Sequence, residues 1–251
     1  TIIGVGITIV ISSILLYAAQ IEFQPGTIIK SQDVNANFAE LYGRFISESV
    51  TKTIGTNADF STFKEAINWL DDKTISQTAI VTLLLKNDIT ITGDDTFSDP
   101  YNSSGTKSAI YIAHRDGDKI IIDLGGNTVT VGNGTEVMNG INVTHGSKLR
   151  GVTNGTLLAA NTGTGFGVGA YPSSYINIID DNVKNFIVDG FEQGISASHN
   201  SSIHAANVTV QNCTIGIRVE RNSYIYASGA TSDSYYPAVN TIDNHNSFIQ
   251  F

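Results

Sequence analysis

The sequence predicts an all-β chain built as a solenoid of stacked parallel strands, and three observations carry that reading. The stretch Asn185-Phe-Ile-Val-Asp-Gly-Phe-Glu-Gln-Gly-Ile195 aligns with Asn207-Val-Thr-Val-Gln-Asn-Cys-Thr-Ile-Gly-Ile217, 22 residues further on. His199-Asn-Ser-Ser-Ile-His-Ala205 aligns with Arg221-Asn-Ser-Tyr-Ile-Tyr-Ala227 at the same offset. Its Ser-x-Ile/Leu core recurs in Ser147-Lys-Leu149, Ser174-Tyr-Ile176 and His245-Asn-Ser-Phe-Ile249, so that successive steps are 27, 27, 22 and 24 residues. Short alternating apolar segments lie between turn pairs such as Asp116-Gly117, Gly125-Gly126 and Asn154-Gly155. A period in the twenties with like residues in like places is expected when each coil stacks on the last and shares its core. Two-residue turns also suit hairpins, which makes an antiparallel sandwich the rival fold. Hairpins do not demand the same residue type on every rung, and the repeat therefore favours the solenoid.

Composition narrows the partners. Charged residues are 15% of the 251, the net charge is -9, and Gly is frequent (24) while Pro is scarce (4). A polar-faced β structure fits this better than a helical enzyme does. An acidic chain offers nothing to neutralise phosphates, so nucleic acid is not an expected partner. Cys213 is the single cysteine, which excludes an internal disulfide. It aligns with Phe191 in the repeat, as a small buried residue would. The five His residues are spread out and show no metal-ligand spacing; neither metal nor cofactor is expected.

Residues 1–20 contain no charge and are about as long as a membrane-spanning helix requires. Three readings stay open: a cleaved signal, a retained anchor, or an apolar segment buried in an assembly. Residues 21–50 form a short module. Pro25-Gly26 makes a turn, and Ser31 or Asp33 can cap a helix with Val34, Phe38, Leu41 and Phe45 on one side. Residues 51–78 read as a polar linker (Glu48 to Asn57) followed by a helix. There Thr62-x-x-Glu65 is a capping box, Phe63, Ala66, Ile67 and Leu70 form the apolar face, and Asp71-Asp72 is the stop. From residue 79 to 251 the solenoid runs through strands at Ala79–Leu85, Ile89–Thr92, Ala109–Ile112, Lys119–Asp123, Thr128–Val131, Gly140–Val143, Lys148–Val152, Thr156–Leu158, Ser174–Ile179 and Asn185–Val188. Gly163-Thr-Gly-Phe-Gly-Val-Gly169 reads as a turn between coils. The chain stops at Phe251 inside a rung, and the solenoid is expected to continue beyond it.

Two phrases resemble known proteins. Phe23-Gln-Pro-Gly-Thr27 with Asp33-Val-Asn-Ala-Asn-Phe38 and Leu41 resembles a short module near the N-termini of phage tail-fibre and tailspike-like proteins, and of some secreted bacterial proteins. Asp59-Phe-Ser-Thr-Phe63 with Ala66-Ile67 and Leu70, followed by a hydrophobic strand, is similar to the opening of pectin-lyase-like right-handed parallel β-helices. The first resemblance implies a homotrimer that docks to a virion, or to a cell envelope, through residues 1–50. The second implies a right-handed β-helix with a short helical N-terminal cap. Together they imply a structural virion protein in the tail that meets a host surface polysaccharide. A bacterial surface-anchored or secreted adhesin or filament subunit, and a polysaccharide depolymerase, are the alternatives.

A depolymerase acting by glycoside hydrolysis needs two carboxylates, one protonating the glycosidic oxygen and one activating water or attacking the sugar. The candidates are Asp180, Asp181, Asp189, Glu192 and Glu220, with Asp189 and Glu192 placed in a turn of the repeat. Surface polarity explains the same residues, since one repeat later Gln211 and Thr214 stand in place of Asp189 and Glu192. A lyase would want a cation beside a carboxylate, which Arg218, Glu220 and Arg221 alone offer. For glycan binding the candidates are Tyr224, Tyr226, Tyr235 and Tyr236, clustered with Phe248 beside Asn and Ser. Aromatic faces flanked by amides and hydroxyls suit a sugar ring, and subunit packing explains them equally.

Overall fold

The computed structural model describes residues 31–98, 106–135, 137–161, 164–178, 186–234, 236–240 and 247–251. The chain divides into two compact units, Thr1–Arg44 and Phe45–Phe251.

In the first unit the described element is helix α1, Ser31–Gly43. Glu40 accepts an ion pair from Arg44 one turn on, at 2.6 Å. Phe38, Leu41 and Tyr42 are exposed, at 53%, 44% and 72%. Phe45, assigned by helical spacing to the same apolar side, belongs instead to the other unit, where Phe45–Ile46 pairs in parallel with Thr74–Ile75.

The second unit is all-β apart from helix α2, Phe63–Asp71, and two short 3-10 turns among the described residues. Its strands form three large sheets. Sheet 1 runs Val50–Ile54, Val81–Leu85, Ile120–Asp123, Lys148–Thr153, Tyr175–Ile178, Ser202–Ala205, Tyr224–Tyr226, Phe248–Gln250. Sheet 2 runs Ile89–Ile91, Thr128–Val131, Gly155–Ala159, Phe186–Asp189, Thr209–Gln211, Thr231–Asp233. Sheet 3 runs Phe97–Ser98, Lys107–Ile112, Met138–Val143, Thr164–Ala170, Phe191–Ala197, Ile215–Val219, Tyr236–Asn240. From Val81 onward the chain visits sheets 1, 2 and 3 in that order, again and again. Every described pairing in these sheets is parallel except Phe97–Ser98 against Lys107–Ser108. The mostly parallel all-β arrangement is compatible with a β-helix or solenoid-like fold, and the antiparallel sandwich is set aside.

The Ser-x-Ile phrase is a physical ladder. Leu149, Ile176, Ile203, Ile225 and Ile249 are register partners in sheet 1. The serines before them are buried, and from Ser174 on each backbone N–H donates to the hydroxyl of the next: Ser174 to Ser201 at 3.1 Å, Ser201 to Ser223 at 3.1 Å, Ser223 to Ser247 at 3.2 Å. Serine recurs there because a buried N–H at a corner needs an acceptor that the strand ladder does not supply. Left-handed residues precede the serines, at His145-Gly146, Ser173, His199-Asn200 and Arg221-Asn222, and turn the chain into sheet 1. Asn222 Nδ2 donates to Asn200 Oδ1 at 2.7 Å, adding a rung outside the backbone ladder.

Inward rows from all three sheets, including Leu83, Ile122, Val129, Leu157, Ile195 and Ile217, form one hydrophobic cluster. A column of glycines, Gly140, Gly167, Gly194 and Gly216, precedes the stacked Ile141, Val168, Ile195 and Ile217 of sheet 3. A β-carbon on Gly140, Gly167 or Gly194 would lie 2.2–2.4 Å from Leu157, Val188 or Val210 of sheet 2. The column is therefore the gap into which sheet 2 packs. Gly163 to Gly169, expected as a turn, is strand from Thr164 onward. Its small residues serve close packing, which local composition does not distinguish from a turn. Likewise Val50–Ile54, expected as linker, is the first strand of sheet 1; its fully buried Ile54 anchors an otherwise Thr-rich segment.

Helix α2 follows its expected cap. Thr62 Oγ1 accepts from Glu65 N at 3.2 Å, while the Glu65 carboxylate reaches back to Ser61 N and Oγ, at 2.7 and 2.8 Å. Phe63, Ala66, Ile67 and Leu70 are buried.

Gly194→Ala adds one methyl group into the Val210 contact and is expected to cost about 1–3 kcal/mol through overpacking. The readout is a lower urea midpoint. Gly43→Ala, where a β-carbon meets nothing within 4 Å, is expected to leave it nearly unchanged.

Candidate functional site

Of the five candidate carboxylates, Asp189, Glu192 and Glu220 are among the described residues. Asp180 and Asp181 lie outside the described residues. Asp189 ends a sheet 2 strand and Glu192 lies within a sheet 3 strand, with Gly190 (φ 80°) at the corner between them. The expected turn is thus a tight corner, affordable because glycine takes a left-handed conformation freely. Both Asp189 oxygens accept from the next coil, from Gln211 Nε2 and Asn212 Nδ2 at 2.8 Å each. Asp189 clamps a corner. Glu220 accepts from Arg218 at 2.8 Å and from Ser198 Oγ at 3.1 Å. Arg221, the third member of that set, donates instead to His199 Nε2 at 2.5 Å. With Nε2 accepting, Nδ1 carries the ring proton and faces Ser198 Oγ at 2.8 Å. Burial, and then the Arg221 guanidinium, hold the His199 pKa below its usual range. Glu192 is exposed on sheet 3.

The glycan candidates divide between two sheets. Tyr235 lies outside the described residues, and Tyr236 starts a strand of sheet 3 opposite Ile215. Tyr224 and Tyr226 stand on the outer face of sheet 1, where Phe248 of the expected cluster joins them. The candidates lie apart because each belongs to the sheet of its own strand, whatever its distance along the chain.

On sheet 1 the outward positions make two parallel rows. One is Lys148, Tyr175, Ser202, Tyr224, Phe248; the other includes Asn177, His204, Tyr226, Gln250. Rungs are about 4.8 Å apart, so Tyr175 and Tyr224, two rungs apart, are separated by about 9.6 Å along the stack. Ser202 is the small residue between them. Aromatic rings stack with centroids roughly 4.5–7 Å apart, and the missing ring leaves a slot one ring thick. A cavity of about 280 Å³ occupies it, lined by Tyr175, Ser202, Ile203, His204, Tyr224 and Tyr226. His204 packs on Tyr226 at 4.8 Å and its Nδ1 meets Asn177 Oδ1 at 3.0 Å. Tyr224 packs edge-on to Phe248 at 4.9 Å and donates to Gln250 Oε1 at 2.6 Å. These contacts hold the walls in place. A second cavity, of about 620 Å³, shares Tyr175 and Ser202 and extends to Lys148, Arg150 and Asp118. Tyr175, Ser202 and His204 were missed in the sequence, although the middle position of each Ser-x-Ile phrase spells out the first row.

Sheet 3 carries a third cavity, of about 650 Å³. Tyr171 and Phe166 pack at 5.1 Å across its floor, and the Tyr171 hydroxyl meets Ser196 Oγ at 2.6 Å. Desolvation outweighs that bond and pushes the Tyr171 pKa up to about 12. Cys213, 3% exposed, has its thiol pushed up to about 11, again chiefly by burial.

Among the described residues there is no group of three or more His, Cys, Asp or Glu placed to hold a metal, and no helix is long and apolar enough to cross a membrane.

Two solution properties follow. The Tyr171 phenol stays neutral in the fold to about pH 12 but ionises near 10 when unfolded. Its contribution to stability is therefore whole below pH 10 and lost as pH rises toward 12. Tyr171→Phe is expected to flatten that alkaline loss, read from urea midpoints across the interval. Cys213 is expected to resist iodoacetamide at pH 8 in the native protein and to react fully in denaturant, because the thiolate is the nucleophile.

No family model, no curated protein and no solved structure matches this chain.

Proposed function

We propose that the chain is a structural virion protein of the phage tail-fibre or tailspike kind: a right-handed parallel β-helix that attaches the particle to a host surface glycan. The slot between Tyr175 and Tyr224, floored by Ser202, is the observation that carries this reading. A pyranose presents an apolar face to each tyrosine and hydroxyl edges to the Asn177, His204 and Ser202 side chains beside them. The cavity continuing toward Lys148 and Arg150 gives an extended chain somewhere to run.

The repeated order of sheets 1, 2 and 3 supports the β-helix, and the right hand follows from the handedness of parallel crossover connections. A bare first coil would expose its core and its strand edges. Helix α2, with its buried apolar face and its Leu70 carbonyl bonded to His114 Nε2 at 3.0 Å, suits the role of cap. The exposed Phe38, Leu41 and Tyr42 of α1 suit a homotrimer that docks to the particle through residues 1–50. The uncharged residues 1–20 favour a second reading, a bacterial surface-anchored adhesin. Tail genes or secretion genes beside this one would separate the two. The depolymerase alternative draws little support, since Asp189 and Glu220 are engaged by neighbouring side chains.

The protein is expected to bind a fraction of a panel of bacterial capsules and lipopolysaccharides on a biosensor surface, with no release of reducing ends or unsaturated sugars. Tyr175→Ala and Tyr224→Ala are each expected to weaken binding by about tenfold, the scale of one lost stacking contact plus its buried area. Absence of binding to every envelope preparation would remove the attachment reading.

A further inference from the structure

The cavity on sheet 3 shares no lining residue with the sheet 1 slot. Its organising row is Tyr111, Asn142, Gly169, Ser196 and Arg218, register partners on the outer face. Gly169 interrupts that row. A β-carbon there would lie 2.3 Å from Phe166 Cε2 and 2.7 Å from Tyr171 Cε2, so the two rings lie down over the bare backbone. On the next rung stands Asn142, 4% exposed, which lines the cavity beside these rings. Its Oδ1 has no hydrogen-bond partner. Leaving a buried amide group unpaired costs on the order of 1–3 kcal/mol, and folded chains leave few such groups without a cause. An apolar residue of the same size would avoid the cost.

The rest of the lining says what would meet it. Asn139, Gln193 and His199 contribute uncharged polar groups, Phe166 and Tyr171 contribute ring faces, and Glu192 is a carboxylate. No Lys or Arg is among the lining residues. Arg218, two rungs beyond Gly169, is neutralised by Glu220 at 2.8 Å. A carboxylated, sulfated or phosphorylated ligand would meet the Glu192 charge with no cation in the lining itself, the Arg221 guanidinium being engaged by the lining His199 at 2.5 Å. A saccharide hydroxyl both donates and accepts, and so satisfies the Asn142 amide whichever way it is turned.

We infer that the sheet 3 cavity is a second saccharide site, selective for neutral sugars, in which Asn142 takes a hydroxyl hydrogen bond and Phe166 with Tyr171 supports the ring. This deepens the glycan-attachment reading and rests on it in one respect, that the chain's natural ligands are glycans. Its residues are distinct from those of the sheet 1 slot.

The test uses the full chain and calorimetric titration with neutral oligosaccharides of glucose, galactose, mannose and N-acetylglucosamine, and with oligogalacturonate and oligosialic acid as acidic counterparts. In a Tyr175→Ala/Tyr224→Ala background, which disables the sheet 1 slot, at least one neutral oligosaccharide still binds and the acidic ones do not. Adding Asn142→Leu weakens that binding by about tenfold or more while leaving the urea midpoint equal or higher, because it removes an unpaired buried group. Loss of neutral binding already in the double tyrosine variant overturns the second site and leaves attachment through sheet 1 standing. Acidic binding equal to neutral in that background overturns the selectivity. Unchanged saccharide binding in Asn142→Leu overturns the role of the amide, as does a shift in oligomeric state by light scattering, which would mean that a second copy of the chain covers this face.

Discussion

In-register stacking is the constraint on which the rest of this structure depends. Within each sheet one strand lies on the last at the spacing of a β-ladder, about 4.8 Å, and the parallel register sets like positions over one another. An inward residue must therefore fit both the core and the residue above it, which is why Leu149, Ile176, Ile203, Ile225 and Ile249 stand in one file. The corners obey the same rule. A buried N–H recurring once per coil wants an acceptor once per coil, and a serine hydroxyl on the adjacent rung supplies it. The glycine column is the negative of that file, a groove kept empty so that Leu157, Val188 and Val210 can enter from sheet 2.

This constraint also decides what could be read in the sequence. Whatever recurs on every rung is legible, and the Ser-x-Ile ladder, the shared Gly194 and Gly216 positions and the equivalence of Cys213 with Phe191 are of this kind. Cys213 Sγ would meet a β-carbon on Gly194 at 3.4 Å, and Phe191 would meet one on Gly167 at 3.1 Å, so the two residues fill the same place on successive coils. Helix α2 was legible for a different reason, because a capping box and a four-residue apolar face are local signals. The strand at Val50–Ile54 was not. Its outward threonines resemble a linker, and its pairing partner Val81–Leu85 lies 31 residues away. The Gly163 to Gly169 segment misled for a related reason. Glycine signals a turn when judged by its neighbours in sequence, whereas here its packing partners sit on other coils.

The candidate site was less legible than the fold. Among the described carboxylates, Asp189 and Glu192 lie on different sheets, since residues three apart at a corner diverge while residues 22 or 27 apart become neighbours. The tyrosine cluster divided in the same way. The useful signal was the row and not the run: reading down the middle position of the Ser-x-Ile phrase gives Lys148, Tyr175, Ser202, Tyr224, Phe248 and shows the interruption at Ser202. The unpaired Asn142 amide has no such signature, because being unpaired is a property of everything around it.

The sheet 1 slot and the sheet 3 cavity arise from one device. A stacked row of side chains is continuous unless a small residue breaks it, and a single break opens a gap of about two rungs, which is the width of one ring. On sheet 1 the break is Ser202 and the rings on either side stay upright, leaving an open slot. On sheet 3 the break is Gly169 and the neighbouring rings fold over it, making a floor. Inward positions cannot host such a break without leaving a void, at a cost that rises with its volume. Corner positions cannot host one without losing the serine ladder or a left-handed turn. Outward positions are where the stacking constraint ends, so in a chain of this kind recognition is written in the outward rows by what is left out as much as by what is put in.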